Sequence, residues 1–73
     1  MDLILAADPG TTATKVAVVN DRGAVLASRE AVNPILRPEP GAAEHDPEAL
    51  WRTFAALCRS LPARLRERVS AVT

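Results

Sequence analysis

The residues best suited to chemistry lie in one short stretch near the N-terminus. An apolar run over residues 3–7 ends at an acidic residue, and a Pro-Gly turn, hydroxyl side chains and a lysine follow: Asp8, Gly10, Thr11, Thr12, Ala13 and Lys15. Successive backbone N–H groups in a tight turn form a concavity that binds anions. Threonine hydroxyls donate to phosphate oxygens, and a lysine ammonium adds a compact positive charge. This combination suits the phosphates of a nucleoside triphosphate.

The carboxylate of Asp8 needs a role of its own, because it would repel a phosphate. Its natural partner is Mg²⁺, bound directly or through water. The stretch is not a Walker A loop, since no second glycine precedes Lys15 and Val16–Val19 is typical of a strand rather than a helix. The alternative is a plain hairpin whose turn residues and threonines have no ligand. The pattern alone favours neither interpretation.

The first thirty residues predict an antiparallel meander of three strands. Residues 2–7 and 14–20 are predicted as the first two strands, and the almost wholly apolar first strand is expected to be buried on both faces. Residues 20–23 predict a turn with Gly23 at positive φ. Residues 24–30 predict the third strand. This meander presents the turn after Asp8 at one edge of a sheet.

The second half predicts a loop, a helix and a fourth strand. Residues 31–46 form a Pro-rich loop, and Asp46 and Pro47 are suited to the N-cap and first position of a helix over residues 47–60. Trp51 is expected in the core or an interface, beside an apolar face of Leu50, Phe54, Leu57, Cys58 and Leu61. After a short charged helical turn over 63–68, residues 69–73 begin a strand parallel to the first one, ending near Asp8. The predicted fold class is α/β.

Composition excludes several classes of function. The chain has 73 residues and no formal net charge, which argues against a partner nucleic acid held by bulk charge. No apolar run has the length of a membrane span and no signal peptide is visible, so we expect a cytoplasmic location. With a single cysteine and a single histidine, a Cys-based metal site is excluded. One long helix covers only one face of a partly parallel sheet, so we expect the chain to be part of a larger domain.

Three motifs carry a resemblance to a known family: Asp8-x-Gly10-Thr11-Thr12-x-x-Lys15, Asn20-Asp21-x-Gly23, and Pro38-x-Pro40-Gly41-x-x-Glu44-His45-Asp46-Pro47-Glu48-x-x-Trp51. In this order and spacing they resemble the N-terminal part of the FGGY carbohydrate kinases, within the actin-like (ribonuclease H-like) ATPase superfamily. The first motif is shared with actin, heat-shock ATPases and other sugar kinases, whereas the last block is much more specific. Gly10-Thr11-Thr12 of the first motif, followed by the Pro40–Glu48 block of the third, is most similar to glycerol kinases, although Pro9 and the Ala42-Ala43 pair depart from their usual pattern.

The resemblance implies a truncated ribonuclease H-like domain from an enzyme that transfers phosphate from MgATP to a hydroxyl of a polyol or ketose. It implies that Asp8 helps to place Mg²⁺, that Thr11, Thr12 and Ala13 contact the ATP phosphates, and that Gly10 belongs to the same cofactor-binding site. Lys15 would neutralise charge that develops during transfer. The family's general base and adenosine pocket have no counterpart here, so we expect the 73-residue chain alone to be inactive and to bind ATP weakly or not at all.

Two rival functions remain open at this point. The chain is alternatively a non-catalytic remnant, or a phosphate-binding module that assembles with a partner chain, with the remainder of a kinase or with copies of itself. A non-kinase ATPase of the actin type is disfavoured by the Glu44–Pro47 block. His45 and the Glu44/Asp46 pair are better explained by loop packing and helix capping than by catalysis. The four arginines between residues 59 and 68 are best explained as a solvated face.

Overall fold

The structure, a computed structural model, describes residues 2–10, 12–33 and 47–73. The described elements form one four-stranded sheet in the order β3-β2-β1-β4, with two helices between β3 and β4. β2 is antiparallel to both β1 and β3, whereas β4 is parallel to β1. The predicted α/β class, meander and parallel fourth strand are therefore confirmed. The elements are β1 (Leu3–Pro9), β2 (Ala13–Val19), β3 (Val25–Val32), α1 (Pro47–Ser60), α2 (Ala63–Arg66) and β4 (Val69–Val72).

The core lies on one face of this sheet. Alternate residues of β1 and β2 point to that face, because successive side chains of a strand project to opposite sides. The buried residues among them pack against one leucine that follows α1 and another that lies in α2. Together these side chains form a single cluster: Leu3, Leu5, Val16, Val18, Leu61 and Leu65. The opposite face is open among the described residues, where Val32 is 82% exposed.

Burial of β1 on both faces was a wrong prediction. Leu3 and Leu5 are buried, but Ile4 between them is exposed. Both described helices pack on one side of the sheet, so the apolar residues that point to the other side have no cover within the described residues. The apolar run of β1 indicated the strand correctly but not which of its faces is covered.

Helix α1 has the predicted bounds and begins at Pro47. Glu48 in its first turn and Arg59 in its last turn match the helix dipole. At its C-terminal end, the guanidinium of Arg29 on β3 donates to the carbonyl oxygen of Ser60, 3.3 Å away. This bond attaches the end of α1 to the edge strand. The predicted N-cap, Asp46, lies outside the described residues.

The apolar side of α1 meets the core through Phe54, Leu57 and Cys58, each of which is half-buried. Burial raises the pKa of the Cys58 thiol, and the positive charge of Arg59 opposes part of that shift. Of the two predicted places for Trp51, the core is wrong: the residue is 64% exposed, and its ring lies 5.8 Å from that of Phe54. The other, an interface, stays a prediction.

Two boundaries near β3 show how pairing sets strand length. Gly23 has φ of +78° in the turn before β3, as predicted. β3 continues through Ala31 and Val32, which were predicted as loop, because both residues pair with β2. The rest of the predicted Pro-rich loop, residues 34–46, lies outside the described residues.

Among the helices that the structure describes, neither has the length and apolar character needed to cross a membrane.

The one-sided core predicts unequal effects of two matched substitutions. Val18→Ala removes two methyl groups from a fully buried side chain and should lower the free energy of unfolding by about 2–3 kcal/mol. Val32→Ala shortens an exposed side chain on the open face and should change the free energy of unfolding by less than about 1 kcal/mol. Urea unfolding followed by circular dichroism measures both. Equal losses would contradict the assignment of the core to one face.

Candidate active site

The connection between β1 and β2 is a closed turn. Pro9 pairs with Thr14, and the N–H of Gly10 donates to the carbonyl oxygen of Ala13 at 2.8 Å. A Cβ atom at position 10 would lie 2.9 Å from that same oxygen, which is closer than side chains approach a backbone oxygen. Gly10 is therefore required by the close approach of two backbone segments rather than by a positive φ.

A buried asparagine supports this turn from the core side. Asn33, which follows β3 and is 3% exposed, donates from Nδ2 to the carbonyl oxygen of Gly10 at 2.6 Å. Its Oδ1 accepts a hydrogen bond of 2.6 Å from the hydroxyl of Thr14, which is also buried. Its backbone N–H donates to the carbonyl oxygen of Thr12 at 2.8 Å. One residue thus contacts the beginning and the middle of the turn and the first part of β2.

Three charged residues form a row on the open face beside the turn. Asp8 on β1 lies opposite Lys15 on β2, and Lys15 lies opposite Glu30 on β3. Directly opposed residues project to the same side of a sheet, with Cβ atoms about 5 Å apart. All three side chains are exposed, and no ion pair links them among the described residues. The lysine therefore has a carboxylate on each side, and its charge remains accessible to a ligand.

The turn lies at the edge of the sheet where the parallel strands end. The N–H of Ala7, next to Asp8, donates to the carbonyl oxygen of Thr73 at 2.8 Å, so the carboxyl ends of β1 and β4 meet beside the turn. This confirms the expectation that β4 ends near Asp8. Ligands of α/β proteins bind outside the carboxyl ends of parallel strands. The location is therefore typical of a binding site in this fold class.

Most of the predicted site residues come together in this turn and row. Asp8, Gly10, Thr12, Ala13 and Lys15 are described there, whereas Thr11 lies outside the described residues, as do Glu44, His45 and Asp46. The N–H of Gly10 is already bonded to Ala13, so Gly10 contributes shape rather than a donor. Within the described residues, the N–H of Thr12 donates to no backbone carbonyl.

The groups exposed at the turn and in the row fit an anion that is accompanied by a divalent cation such as Mg²⁺. The exposed carboxylate of Asp8 supplies the oxygen ligands that Mg²⁺ prefers. The described residues contain no group of three or more His, Cys, Asp or Glu side chains that could hold a metal ion by themselves. A Mg²⁺ ion at Asp8 would therefore complete its shell with water and ligand oxygens, as Mg²⁺ does with bound phosphates.

The sequence interpretation missed Asn33 and assigned no role to Thr14 beyond its place in β2. The side chain of Thr14 is buried and donates to Asn33. Asn33 fell within the predicted Pro-rich loop and carried no assigned role. The available signal was the alternation of β2, in which Thr14 occupies a core-facing position before Val16 and Val18. A polar residue at such a position needs a buried partner.

Comparison with known proteins identifies the family and the fold. Residues 3–72 match the N-terminal domain of the FGGY family of carbohydrate kinases, and the chain belongs to this family. It is 36% identical over 72 residues, 99% of its length, to a glycerol kinase of Acidovorax sp. (strain JS42). The whole chain superposes on a ligand-bound xylulose kinase from Lactobacillus acidophilus with a TM-score of 0.86 and 26% identity. It also superposes on a Plasmodium falciparum glycerol kinase solved with ADP, with a TM-score of 0.78 and 25% identity.

The matched region is a small part of each relative. The chain spans 14% of the Acidovorax glycerol kinase, 15% of the xylulose kinase and 14% of the Plasmodium enzyme. The resemblance to an FGGY kinase N-terminal part is thereby confirmed, together with the actin-like ATPase fold class that these kinases share.

The closed turn predicts different outcomes for two glycine substitutions. Gly10→Ala places a methyl group against the carbonyl oxygen of Ala13, and relief of that contact should cost about 1–3 kcal/mol of unfolding free energy. In Gly23→Ala the new methyl group would contact nothing, but an alanine is strained at this positive φ, which should lower the free energy of unfolding by about 1 kcal/mol.

Amide NMR signals separate the two effects by location. Gly10→Ala should shift the signals of Thr12, Ala13 and Asn33, and Gly23→Ala should shift only those around Asn20. Unchanged Thr12 and Asn33 signals in Gly10→Ala would show that the turn is not closed in solution.

Proposed function

We propose that the β1–β2 turn binds the phosphates of MgATP in a carbohydrate kinase that transfers phosphate to a hydroxyl of a polyol or ketose. The observation that carries the proposal is the position of Asp8 and Lys15 on one exposed face beside a turn that requires glycine. Membership of the FGGY family and the likeness to a glycerol kinase solved with ADP support the nucleotide.

Each site residue then has one task in phosphoryl transfer. Asp8 orients Mg²⁺, directly or through water, and the bound metal supplies charge neutralisation and polarises phosphate oxygens. Lys15 adds a positive charge beside the transferring group, where charge is spread over phosphoryl oxygens. Thr11, Thr12 and Ala13 contact phosphate oxygens through hydroxyl and backbone N–H donors. Positioning and electrostatic stabilisation of this kind supply most of the catalysis in such enzymes.

Glycerol is the substrate we favour. The Gly10-Thr11-Thr12 run and the Glu44-His45-Asp46-Pro47 block are most similar to glycerol kinases, and a glycerol kinase matches 99% of the chain. Other polyols and ketoses remain the alternatives, because xylulose kinase is among the similar structures. A cytoplasmic location, the absence of a nucleic-acid or membrane partner, and the division into residues 1–30, 31–46, 47–60 and 69–73 stay predictions.

A chimeric kinase tests the proposed site directly. Residues 1–73 would replace the matching N-terminal segment of the Acidovorax glycerol kinase, and glycerol phosphorylation would be assayed with MgATP. Asp8→Asn should lower kcat by on the order of 100-fold, because Mg²⁺ would lose the carboxylate charge that holds it, directly or through water. Glu30→Gln removes the other carboxylate next to Lys15, farther from the turn, and should change kcat by less than about threefold. Equal effects of the two substitutions would contradict the role of Asp8.

The chain of 73 residues should show no kinase activity by itself. Neither a general base nor an adenosine pocket has a counterpart in its sequence, and it spans 14% of a glycerol kinase relative. The check is a coupled assay with pure chain, MgATP and either glycerol or xylulose. Measurable turnover would overturn this expectation.

A second candidate is a phosphate-binding module that acts with a partner chain, which the closed turn with the exposed Asp8 and Lys15 would serve equally well. In that case mixing the chain with a kinase truncated before its own corresponding segment should restore glycerol phosphorylation. A non-catalytic remnant would restore none.

A further inference from the structure

We propose that Asn33 is the positioning residue that fixes the shape of the phosphate-binding turn. The inference rests on the proposed function, because it concerns the affinity of that turn for phosphate. Among the described residues, the hydrogen bonds of Asn33 go to Gly10, Thr12 and Thr14 and to none of the row of charged side chains. Asn33 acts through the backbone of Gly10 and Thr12, which it contacts from the buried side.

The hydrogen-bonding pattern explains why an asparagine is suited to this position. Its amide nitrogen donates to the Gly10 carbonyl while its amide oxygen accepts from the Thr14 hydroxyl, both at 2.6 Å. Aspartate has the shape of asparagine but no N–H to donate, and leucine has neither group. Both polar atoms are satisfied, and no buried side-chain nitrogen or oxygen of the described residues lacks a partner.

The consequence for a ligand is preorganisation. With the carbonyl of Gly10 tied to Asn33 and its N–H tied to Ala13, both polar backbone atoms of Gly10 are fixed. The turn then does not need to be ordered when an anion binds, and a preorganised site binds more tightly. Loss of the Asn33 donor would leave the Gly10 carbonyl unpaired and free to turn toward the bound anion, which it would repel.

Four substitutions isolate this effect. Asn33→Asp keeps the acceptor for Thr14 but removes the donor to Gly10, and the neutral Asn33→Leu, which lacks both groups, separates loss of the donor from the negative charge that aspartate adds. Asn20→Asp is the matched control, because the side chain of Asn20 acts only as an acceptor, from the N–H groups of Arg22 and Ala24 in the turn at the other end of β2. Thr14→Ser keeps the hydroxyl that donates to Asn33.

The test is titration of the ¹⁵N-labelled chain with magnesium tripolyphosphate, observed through the amide signals of Gly10, Thr12 and Ala13. We expect millimolar binding by the unsubstituted chain and an affinity at least about tenfold lower in Asn33→Asp. Asn20→Asp and Thr14→Ser should stay within about twofold of the unsubstituted chain. Signals of Val16 and Val18 report whether each variant retains the core, so affinities are compared between folded proteins.

Two outcomes overturn the inference, and they are distinguishable. If the unsubstituted chain binds and either folded Asn33→Asp or folded Asn33→Leu binds within about twofold, Asn33 does not position the turn for phosphate. If the unsubstituted chain shows no saturable shift at the turn and Asp8→Asn leaves the activity of the chimeric kinase unchanged, the proposed phosphate site fails and the inference falls with it. Hydrogen exchange at Gly10 then shows whether Asn33 holds the turn for structural reasons alone.

The chimeric kinase gives a second measurement that does not depend on the isolated chain folding. There Asn33→Asp should raise KM for ATP at least about fivefold and leave KM for glycerol unchanged, because only the phosphate turn is loosened. An equal rise in KM for ATP and in KM for glycerol would indicate general loss of structure and contradict the proposal.

Discussion

The register between β1 and β2 is the constraint on which the candidate site depends. It sets Pro9 opposite Thr14 and Asp8 opposite Lys15, and so determines which residues form the turn and which share its open face. A slip of one residue would move every side chain of a strand to the other face. Leu3, Leu5, Val16 and Val18 prevent that slip, because it would turn these four buried side chains away from the helices and into solvent. The hydrophobic core therefore fixes the position of the charged residues.

The two faces of the sheet have separate tasks. The covered face contains the apolar cluster and the buried Thr14–Asn33 pair, and the open face carries Asp8, Lys15 and Glu30. Because alternate residues of the same strands serve both faces, stability and the proposed ligand binding use different side chains of one element. The turn connects the two tasks, since its backbone is fixed from the covered side while its exposed side remains available to an anion.

Much of this could be predicted from the sequence because the relevant signals are local. The period of α1, the proline at its start and the glycine at the β2–β3 turn are properties of a few adjacent residues. The parallel pairing of β4 with β1 followed from the helix that separates them. The exposure of Ile4 and Trp51 could not be predicted, because it depends on which parts of the chain cover each face. Asn33 was missed for a similar reason: its partners lie 19 and 23 residues away in the chain.

The central claim is that the β1–β2 turn binds the metal–phosphate part of a nucleotide. The most direct measurement is paramagnetic broadening of amide signals by Mn²⁺–ATP, which detects weak as well as tight binding. The account predicts broadening at Asp8, Gly10, Thr12 and Ala13, none around Asn20 at the opposite end of β2, and loss of the effect in Asp8→Asn. Broadening centred elsewhere on the chain, or unchanged in Asp8→Asn, would contradict it.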